Sequence, residues 1–187
     1  MIFLDMDGVL SDFCGGVGKM FGVNKEELYT GWLPHHENVA SRLGVESGKV
    51  WARINSNPTF WSGLEPYPWV DELIEYLDKE AGQKLFICSS PGMLSEHAIN
   101  GKVAWLKKYT GSRFRKNYFF TSEKWALAAP GRILVDDDTS KCKGFQACGG
   151  QVIQFPAKWN PNKDRANNPI EFVKEELERL RSLGLSL

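Results

Sequence analysis

Short apolar runs without polar alternation are the most regular feature of this sequence. They lie at residues 1–4, 85–88, 118–120, 133–135 and 152–153. Runs of this kind are typical of strands that are buried on both faces of a parallel sheet. Helical spacing of apolar residues occurs between them, at 70–79 and at 96–109, where the predicted buried face consists of Ile99, Val103, Ala104 and Leu106. This alternation predicts an α/β fold, a Rossmann-like parallel sheet flanked by helices.

Residues 15–68 interrupt the alternation. This segment is rich in tryptophan, proline and histidine, and it has no convincing strand but shows helical patterns around 25–29, 39–43 and 50–54. We therefore predict a small helical cap, inserted after the first strand and lying above the carboxyl ends of the sheet. The core domain would then comprise residues 1–14 and 69–187.

The last third of the core ends in a polar loop and a helix. The loop is predicted at 156–168 and the helix at 169–183. Pro169 suits the first helical position, because the N–H that proline lacks would have no partner within the helix there.

The composition is that of an ordinary soluble globular protein. Of 187 residues, 42% are hydrophobic, and no apolar run approaches the roughly 20 residues that a membrane helix needs. The 23 lysines and arginines balance the 23 aspartates and glutamates, so the net charge gives no long-range attraction to a nucleic acid polymer or an anionic membrane. The four cysteines form no CxxC pair and the N-terminus lacks a secretory signal, which favours a reducing cytoplasm.

An acidic motif, Asp5-Met6-Asp7-Gly8, directly follows the first apolar run. The carboxyl end of a parallel strand opens into the ligand crevice, so both carboxylates arrive where substrates bind. Carboxylates at positions i and i+2 repel each other unless a cation lies between them, and Mg²⁺ is suited to oxygen ligands. Gly8 allows the chain to turn sharply. A plain polar turn is the alternative, while Val9 at the next ligand position and the missing distal glutamate disfavour a calcium loop.

Polar residues follow three further runs. Ser89 and Ser90 end the second run, where hydroxyl and N–H groups can hold a phosphate oxygen without adding charge, although such residues often only make a turn. Lys124 follows the third run, at a place where a solvated surface lysine is the common alternative. Three successive aspartates, 136–138, follow the fourth run. They are costly without a cation unless they form a solvated loop or a helix cap.

In this order the four motifs resemble those of the haloacid dehalogenase superfamily, across an entire α/β core. Five segments narrow the resemblance to the 5'(3')-deoxyribonucleotidases: DMDGVLSDF (5–13), FWSGLEPYP (60–68), FICSSP (86–91), AWLKKYTG (104–111) and LVDDD (134–138). They span most of the chain, and the cap is the poorest match. The resemblance implies a magnesium-dependent phosphomonoesterase that dephosphorylates nucleoside monophosphates, deoxyribonucleotides in particular, through a phospho-aspartate.

The resemblance also implies a role for each residue. Asp5 would be the nucleophile and Asp7 the general acid and base, while Lys124 would neutralise charge on the phospho-aspartate. Ser89 and Ser90 would bind the phosphate. The ligands of Mg²⁺ would be the carboxylates of Asp5, Asp136 and Asp137 and the backbone carbonyl of Asp7.

Aromatic residues would line the pocket for the base in this family. Phe13, Trp32 and Trp51 are the candidates here, with packing in the cap core as the alternative. The family usually has an arginine after the paired aspartates, and Asp138 stands in that place.

Two other functions remain open at this point. One is a phosphatase for another small phosphometabolite, such as a sugar phosphate, and the cap would decide between it and a nucleotidase. The other is a non-catalytic binding protein of the same fold, which the costly cluster of charges disfavours. The expected partner is a small phosphomonoester, and the sequence leaves the choice between a monomer and a homodimer open.

Overall fold

The central sheet of the computed structural model has five strands in the order β3-β2-β1-β4-β5, and each neighbouring pair is parallel. The structure describes residues 1–33, 35–93 and 95–184. The strands are β1 (Ile2–Leu4), β2 (Leu85–Ser89), β3 (Tyr118–Phe120), β4 (Ile133–Asp136) and β5 (Gln151–Gln154). The predicted parallel sheet is thus confirmed, and β1, which leads into the first acidic motif, lies at its centre.

The inner strands are apolar because both of their faces are covered. All residues of β1 and β4 are buried, and Ile2 is paired with Leu85 on one side and with Ile133 on the other. The edge strand β3 differs, since Tyr118 and Phe119 are 37% and 41% exposed. Its apolar run therefore does not correspond to a strand covered on both faces.

Four α-helices lie in the region of the predicted cap. They are α1 (Phe13–Met20), α2 (Lys25–Thr30), α3 (Val39–Leu43) and α4 (Ser47–Asn55). The three predicted helical patterns coincide with α2, α3 and α4, whereas α1 has no counterpart among them. Asp12 caps α1 by accepting a hydrogen bond from the Gly15 N–H at 2.8 Å, so this helix starts directly after the acidic motif. Because α1 crosses the boundary between residues 14 and 15, the division into core and cap stays a proposal.

The remaining helices flank the sheet: α5 (Val70–Ala81), α6 (Ala98–Thr110), α7 (Thr139–Ala147) and α8 (Pro169–Ser182). A 3-10 turn, Lys124–Leu127, follows β3. The predicted inner face of α6 is confirmed only for Leu106, which is buried. Ile99 is 44% exposed and Ala104 is exposed, while Lys102 and Trp105, which were not predicted, are fully buried. The apolar pattern does not indicate this face, because one of its buried residues is a lysine, whose ammonium group has polar partners at the strand ends.

The hydrophobic core extends from the sheet into the cap. Val17 of α1 and Leu28 of α2 belong to the same buried cluster as Leu4 of β1. A smaller cluster covers the other side of the sheet and consists of Phe3, Cys88, Leu134 and Phe145. Within the described ranges, none of the helices is long and apolar enough to cross a membrane.

Candidate active site

Three carboxylates meet at the carboxyl ends of the two central strands. Asp5 follows β1, Asp136 ends β4, and Asp137 is the next residue. Because β1 and β4 are parallel neighbours, these ends lie side by side, and the Asp5 N–H donates to the Val135 carbonyl at 2.9 Å. One carboxylate oxygen from each of the three aspartates lies within 4.8 Å of the others, and all three residues are buried.

Lys124 brings a positive charge to this cluster. It starts the 3-10 turn after β3 and is 1% exposed. Its Nζ lies 2.6 Å from Asp136 Oδ2 and 2.7 Å from Asp5 Oδ1. Burial by itself would lower the pKa of Lys124, but the charges of Asp136 and Asp5 raise it, so the side chain stays protonated. The lysine is thus an ion-pair partner of the site and not a solvated surface residue.

The cluster has more negative charge than Lys124 can neutralise. Burial, and then the charge of Asp5, raise the pKa of Asp136 to about 7. Burial, followed by the charges of Asp136 and Asp5, raises the pKa of Asp137 well above its ordinary value. Asp5 Oδ1 is also buried without a well-directed hydrogen bond. A set of closely spaced, buried carboxylate oxygens fits a divalent cation such as Mg²⁺, which would offset the negative charge that Lys124 leaves.

Asp7 faces a different partner. Its Oδ2 is paired with the Nζ of Lys102, and its Oδ1 accepts a hydrogen bond from the Ser11 hydroxyl at 3.1 Å. The chain turns at Gly8, which has a φ of +84° and approaches Asp137 so closely that a Cβ would lie 2.5 Å from Asp137 Oδ2. Both the left-handed backbone and this close approach require glycine. Among the described residues, the group of carboxylates close enough to share a metal ion consists of Asp5, Asp136 and Asp137 and does not include Asp7.

Lys102 is a site residue that the sequence analysis missed. It is fully buried in α6, and its Nζ contacts Asp7, the Ser89 hydroxyl at 2.9 Å and the Ser90 carbonyl at 2.7 Å. The ammonium group also lies 4.5 Å from the centre of the Trp61 ring. These contacts satisfy its three donors. Its position could have been noticed, because it lies at helical spacing from the apolar Ala98, Trp105 and Leu106.

The two serines lie next to Asp7, linked to it through Lys102. Ser89 is the last residue of β2 and is fully buried, and Ser90 follows it. The Ser90 hydroxyl accepts a hydrogen bond from the Nζ of Lys141, in the first turn of α7, at 2.5 Å. Two lysines from different helices thus hold the loop that was predicted to bind phosphate.

A cavity of about 600 Å³ opens beside Asp7 and Asp137. Of the predicted aromatic residues, Phe13 and Trp51 line it, with their ring centres 6.1 Å apart. Trp32 is not among the described residues that line this cavity. Its ring packs on Trp159, which does line the cavity, at a centre-to-centre distance of 5.1 Å.

Comparison with known families identifies the chain. The family described as 5' nucleotidase, deoxy (pyrimidine), cytosolic type C protein matches residues 1–173. The chain belongs to this nucleotidase family. The match covers the three-aspartate cluster, Lys124 and the serine loop alike. It confirms the predicted resemblance and the prediction of an enzyme of the phosphoric monoester hydrolase class.

Two human relatives of the nucleotidase are 5'(3')-deoxyribonucleotidases. The cytosolic type is 29% identical over 143 residues, which are 73% of this chain and 69% of the relative. The mitochondrial one is 28% identical over 145 residues, which are 73% of this chain and 61% of the relative. About two thirds of the length of these relatives is therefore represented in the alignment.

Solved structures of hydrolytic dehalogenases share the fold. A dehalogenase in an intermediate complex gives a TM-score of 0.52 at 14% identity and covers 86% of each chain. The L-2-haloacid dehalogenase from Xanthobacter autotrophicus gives 0.50 at 13% identity and covers 93% of the nucleotidase and 86% of its own chain. At this identity the similarity concerns the fold alone, which is that of the haloacid dehalogenase type.

Proposed function

We propose that this chain hydrolyses nucleoside monophosphates, deoxyribonucleotides in particular, with Mg²⁺ and through a phospho-aspartate on Asp5. The observation that carries the proposal is the cluster of Asp5, Asp136 and Asp137 around the buried Lys124. A carboxylate can attack an anionic phosphate only where cations offset the charge of both groups. Mg²⁺ held by the three aspartates, together with the backbone carbonyl of Asp7, would supply that charge.

The proposed reaction has two steps. An oxygen of Asp5 forms a bond to phosphorus, and the bond from phosphorus to the nucleoside oxygen breaks. Asp7 gives its proton to that leaving oxygen. A water molecule then attacks the phosphorus of the phospho-aspartate, its proton returns to Asp7, and inorganic phosphate leaves with the carboxylate of Asp5 regenerated.

The other polar residues of the site would bind the phosphate and position the acid. Lys124 is within 2.7 Å of Asp5 Oδ1, close enough to neutralise charge that develops during attack. Ser89 and Ser90 would bind phosphate oxygens through hydroxyl and N–H groups, and Lys102 would hold Asp7 beside them. Phe13 and Trp51 would stack on the base at the cavity wall, and Trp32 would support that wall from behind.

The setting that we propose is cytoplasmic, with a small phosphomonoester as the partner. The name of the human cytosolic relative supports this location. A homodimer is compatible with the proposal and is not required by it, because all the groups that it uses come from one chain.

A panel of substrates tests the proposal. Phosphate release would be measured for deoxyribonucleoside and ribonucleoside monophosphates, sugar phosphates and para-nitrophenyl phosphate, each with Mg²⁺ and with EDTA. We expect the highest kcat/KM for deoxyribonucleotides and no turnover in EDTA. Higher kcat/KM for a sugar phosphate would contradict the nucleotide assignment and favour the general phosphatase.

A further inference from the structure

Two side chains of the loop after β5 donate hydrogen bonds to Asp137. From the sequence, residues 156–168 are predicted only to form a polar loop. In the structure, the indole N–H of Trp159 donates to Asp137 Oδ2 at 2.6 Å. The side-chain amide of Asn160 donates to the backbone carbonyl of Asp137 at 2.9 Å. Both the side chain and the main chain of this aspartate are therefore held by neighbouring residues of one loop.

Asn160 also organises the loop itself. It is 5% exposed, and its amide makes a second bond to the Phe155 carbonyl at 2.7 Å. Its side-chain oxygen accepts from the N–H groups of Ala157 at 3.3 Å and of Asn162 at 3.0 Å. Four bonds from one buried side chain restrict the conformations that the loop can adopt. The position of Trp159, its direct neighbour, is thus well defined.

Trp159 is further held from the cap side. Its ring lies 5.1 Å from that of Trp32, whose own indole N–H donates to the His36 carbonyl at 2.9 Å. The ring separates the 600 Å³ cavity beside Asp7 from a second cavity of about 290 Å³, and it lines both. It is therefore fixed between the cap and the core.

An indole N–H has one property that matters at a metal site. It can only donate, so it keeps Asp137 Oδ2 in the role of an acceptor and fixes the torsion of the carboxylate. Oδ1 and the remaining lone pair of Oδ2 stay available for a cation. Groups that hold a metal ligand in this way set both its orientation and the affinity of the site.

We infer that Trp159 is a positioning residue for Asp137 and thereby sets the affinity of the three-aspartate cluster for Mg²⁺. The inference rests on the proposed function only in taking Asp137 as a metal ligand. Trp159 binds neither the cation nor the phosphate itself. Its effect should therefore appear in metal binding measured without any substrate.

Titration calorimetry with Mg²⁺ on the intact chain tests the inference. Trp159→Phe keeps an aromatic ring against Trp32 but removes the N–H, and we expect its Kd for Mg²⁺ to rise by about 10- to 100-fold. The matched control is Trp125→Phe, which removes an indole N–H that donates to Glu123, a carboxylate outside the cluster. The control should stay within about twofold of the wild-type Kd. An equal Kd in Trp159→Phe and wild type would overturn the inference.

A double-mutant cycle decides whether Trp159 acts through Asp137. In an Asp137→Asn background, Trp159→Phe should change the Kd by less than about twofold, because the carboxylate that it orients is gone. A full additional loss in that background would mean that Trp159 acts elsewhere, and it would refute the inference. If Trp159→Phe does not fold in thermal melts, Trp159→Leu removes the same donor and takes its place with the same expected rise in Kd.

The outcomes also separate the inference from the proposed function. Mg²⁺ binding that depends on Trp159, in a chain that hydrolyses no nucleotide, would support the inference and refute the proposed function. Failure of the wild-type chain to bind Mg²⁺ at millimolar concentration would overturn both.

Discussion

At the scale of single residues, the site buries charges that are rarely buried in proteins. The side chains concerned are Asp5, Lys102, Lys124, Asp136 and Asp137. Each lysine lies at ion-pair distance from at least one carboxylate. Within the three-aspartate cluster, however, three carboxylates face a single lysine, Lys124. Removing a carboxylate of the cluster should therefore lower activity without lowering stability, whereas removing a buried lysine should lower both.

Asp5→Asn tests the nucleophile. An amide cannot attack phosphorus, so phosphate release should fall by more than about 100-fold, a barrier increase of more than roughly 2.7 kcal/mol. The substitution also removes one of the mutually repelling charges, so the thermal melt in EDTA should show a variant at least as stable as the wild type. Residual turnover above about a hundredth of the wild-type rate would exclude Asp5 as the nucleophile.

Lys102→Met tests the lysine that the sequence analysis missed. Methionine keeps the straight apolar stem but leaves Asp7, the Ser89 hydroxyl and the Ser90 carbonyl without their donor. We expect a loss of about 3 kcal/mol in the free energy of unfolding, at the low end for a broken buried pair because Asp7 is 20% exposed. Phosphate release should also fall at least tenfold, since Asp7 is no longer held.

Lys107→Met is the matched control for this change. It makes the same substitution on the exposed face of α6. Denaturant unfolding and phosphate assays should leave it close to the wild type. Equal behaviour of the two variants would show that Lys102 has no special role.

At the scale of elements, the start of α1 joins the cap to the acidic motif. Asp12 is 2% exposed and caps α1, while its carboxylate lies 2.6 Å from the Nζ of Lys25 at the start of α2. It also accepts hydrogen bonds from the hydroxyls of Tyr29 and Tyr67. Burial, above all, raises the pKa of both phenols, so they remain neutral donors. One carboxylate thus connects two cap helices with the segment that leads into α5.

Asp12→Ala should therefore destabilise the fold. The lost cap costs about 1 kcal/mol. The hydroxyls of Tyr29 and Tyr67 lie 3.1 Å apart and still pair with each other, so one of the two O–H groups loses its acceptor, which brings the total to about 2–3 kcal/mol. For a chain of this size, the melting temperature should drop by roughly 4–12 °C. Asp12→Asn keeps an acceptor for the helix cap and should lose less than half as much. A drop of less than about 1 °C in Asp12→Ala would contradict this account of the junction.

At the scale of the whole molecule, cap and core share one hydrophobic cluster and enclose the cavity between them. Phe13 of α1 and Trp51 of α4 line that cavity from the N-terminal part of the chain, and Asp137 and Trp159, which follow β4 and β5, line it as well. Under the proposed function, phosphate chemistry and recognition of the rest of the substrate would belong to different parts of the chain. Variants in the two parts should have different kinetic signatures.

Trp51→Ala tests recognition by the cap. Stacking on a base contributes about 1–3 kcal/mol, so KM for a deoxyribonucleotide should rise about five- to more than 100-fold. para-Nitrophenyl phosphate has no nucleobase, and its kcat/KM should change far less. Losses of equal size on both substrates, with a lower melting temperature, would instead assign Trp51 to the packing of the cap.

Mg²⁺ should stabilise the molecule as a whole. A cation that binds only the folded chain adds about 2.7 kcal/mol at 100 times its Kd, which is roughly 5–11 °C in melting temperature for this length. EDTA should abolish the increase. Asp136→Asn should largely lose it, because a cluster ligand is removed. An equal shift in Asp136→Asn would place the stabilising cation outside the three-aspartate cluster.

The sheet and the clustering of polar residues at its strand ends could be predicted from the amino-acid sequence. Apolar runs mark β1, β2 and β4 because strand burial is a local pattern, and the residues after them reach one edge because parallel strands end together. Asp5, Asp136 and Asp137 could therefore be predicted to meet, although not that burial would raise the pKa of Asp136 and of Asp137. Lys124 was identified only through the order of the motifs.

The side chains that complete this arrangement are apparent from the packing of the folded chain. Lys102 lies on a face of α6 that the apolar pattern did not predict to be buried, and Trp159 lies in a loop that has no periodic pattern. Trp51 lines the cavity and Trp32 does not, because the orientation of each ring depends on its contacts with segments that are distant in sequence. Helical spacing could have indicated that Lys102 is buried, but not which groups it contacts. Contacts of this kind depend on how separate segments pack against one another.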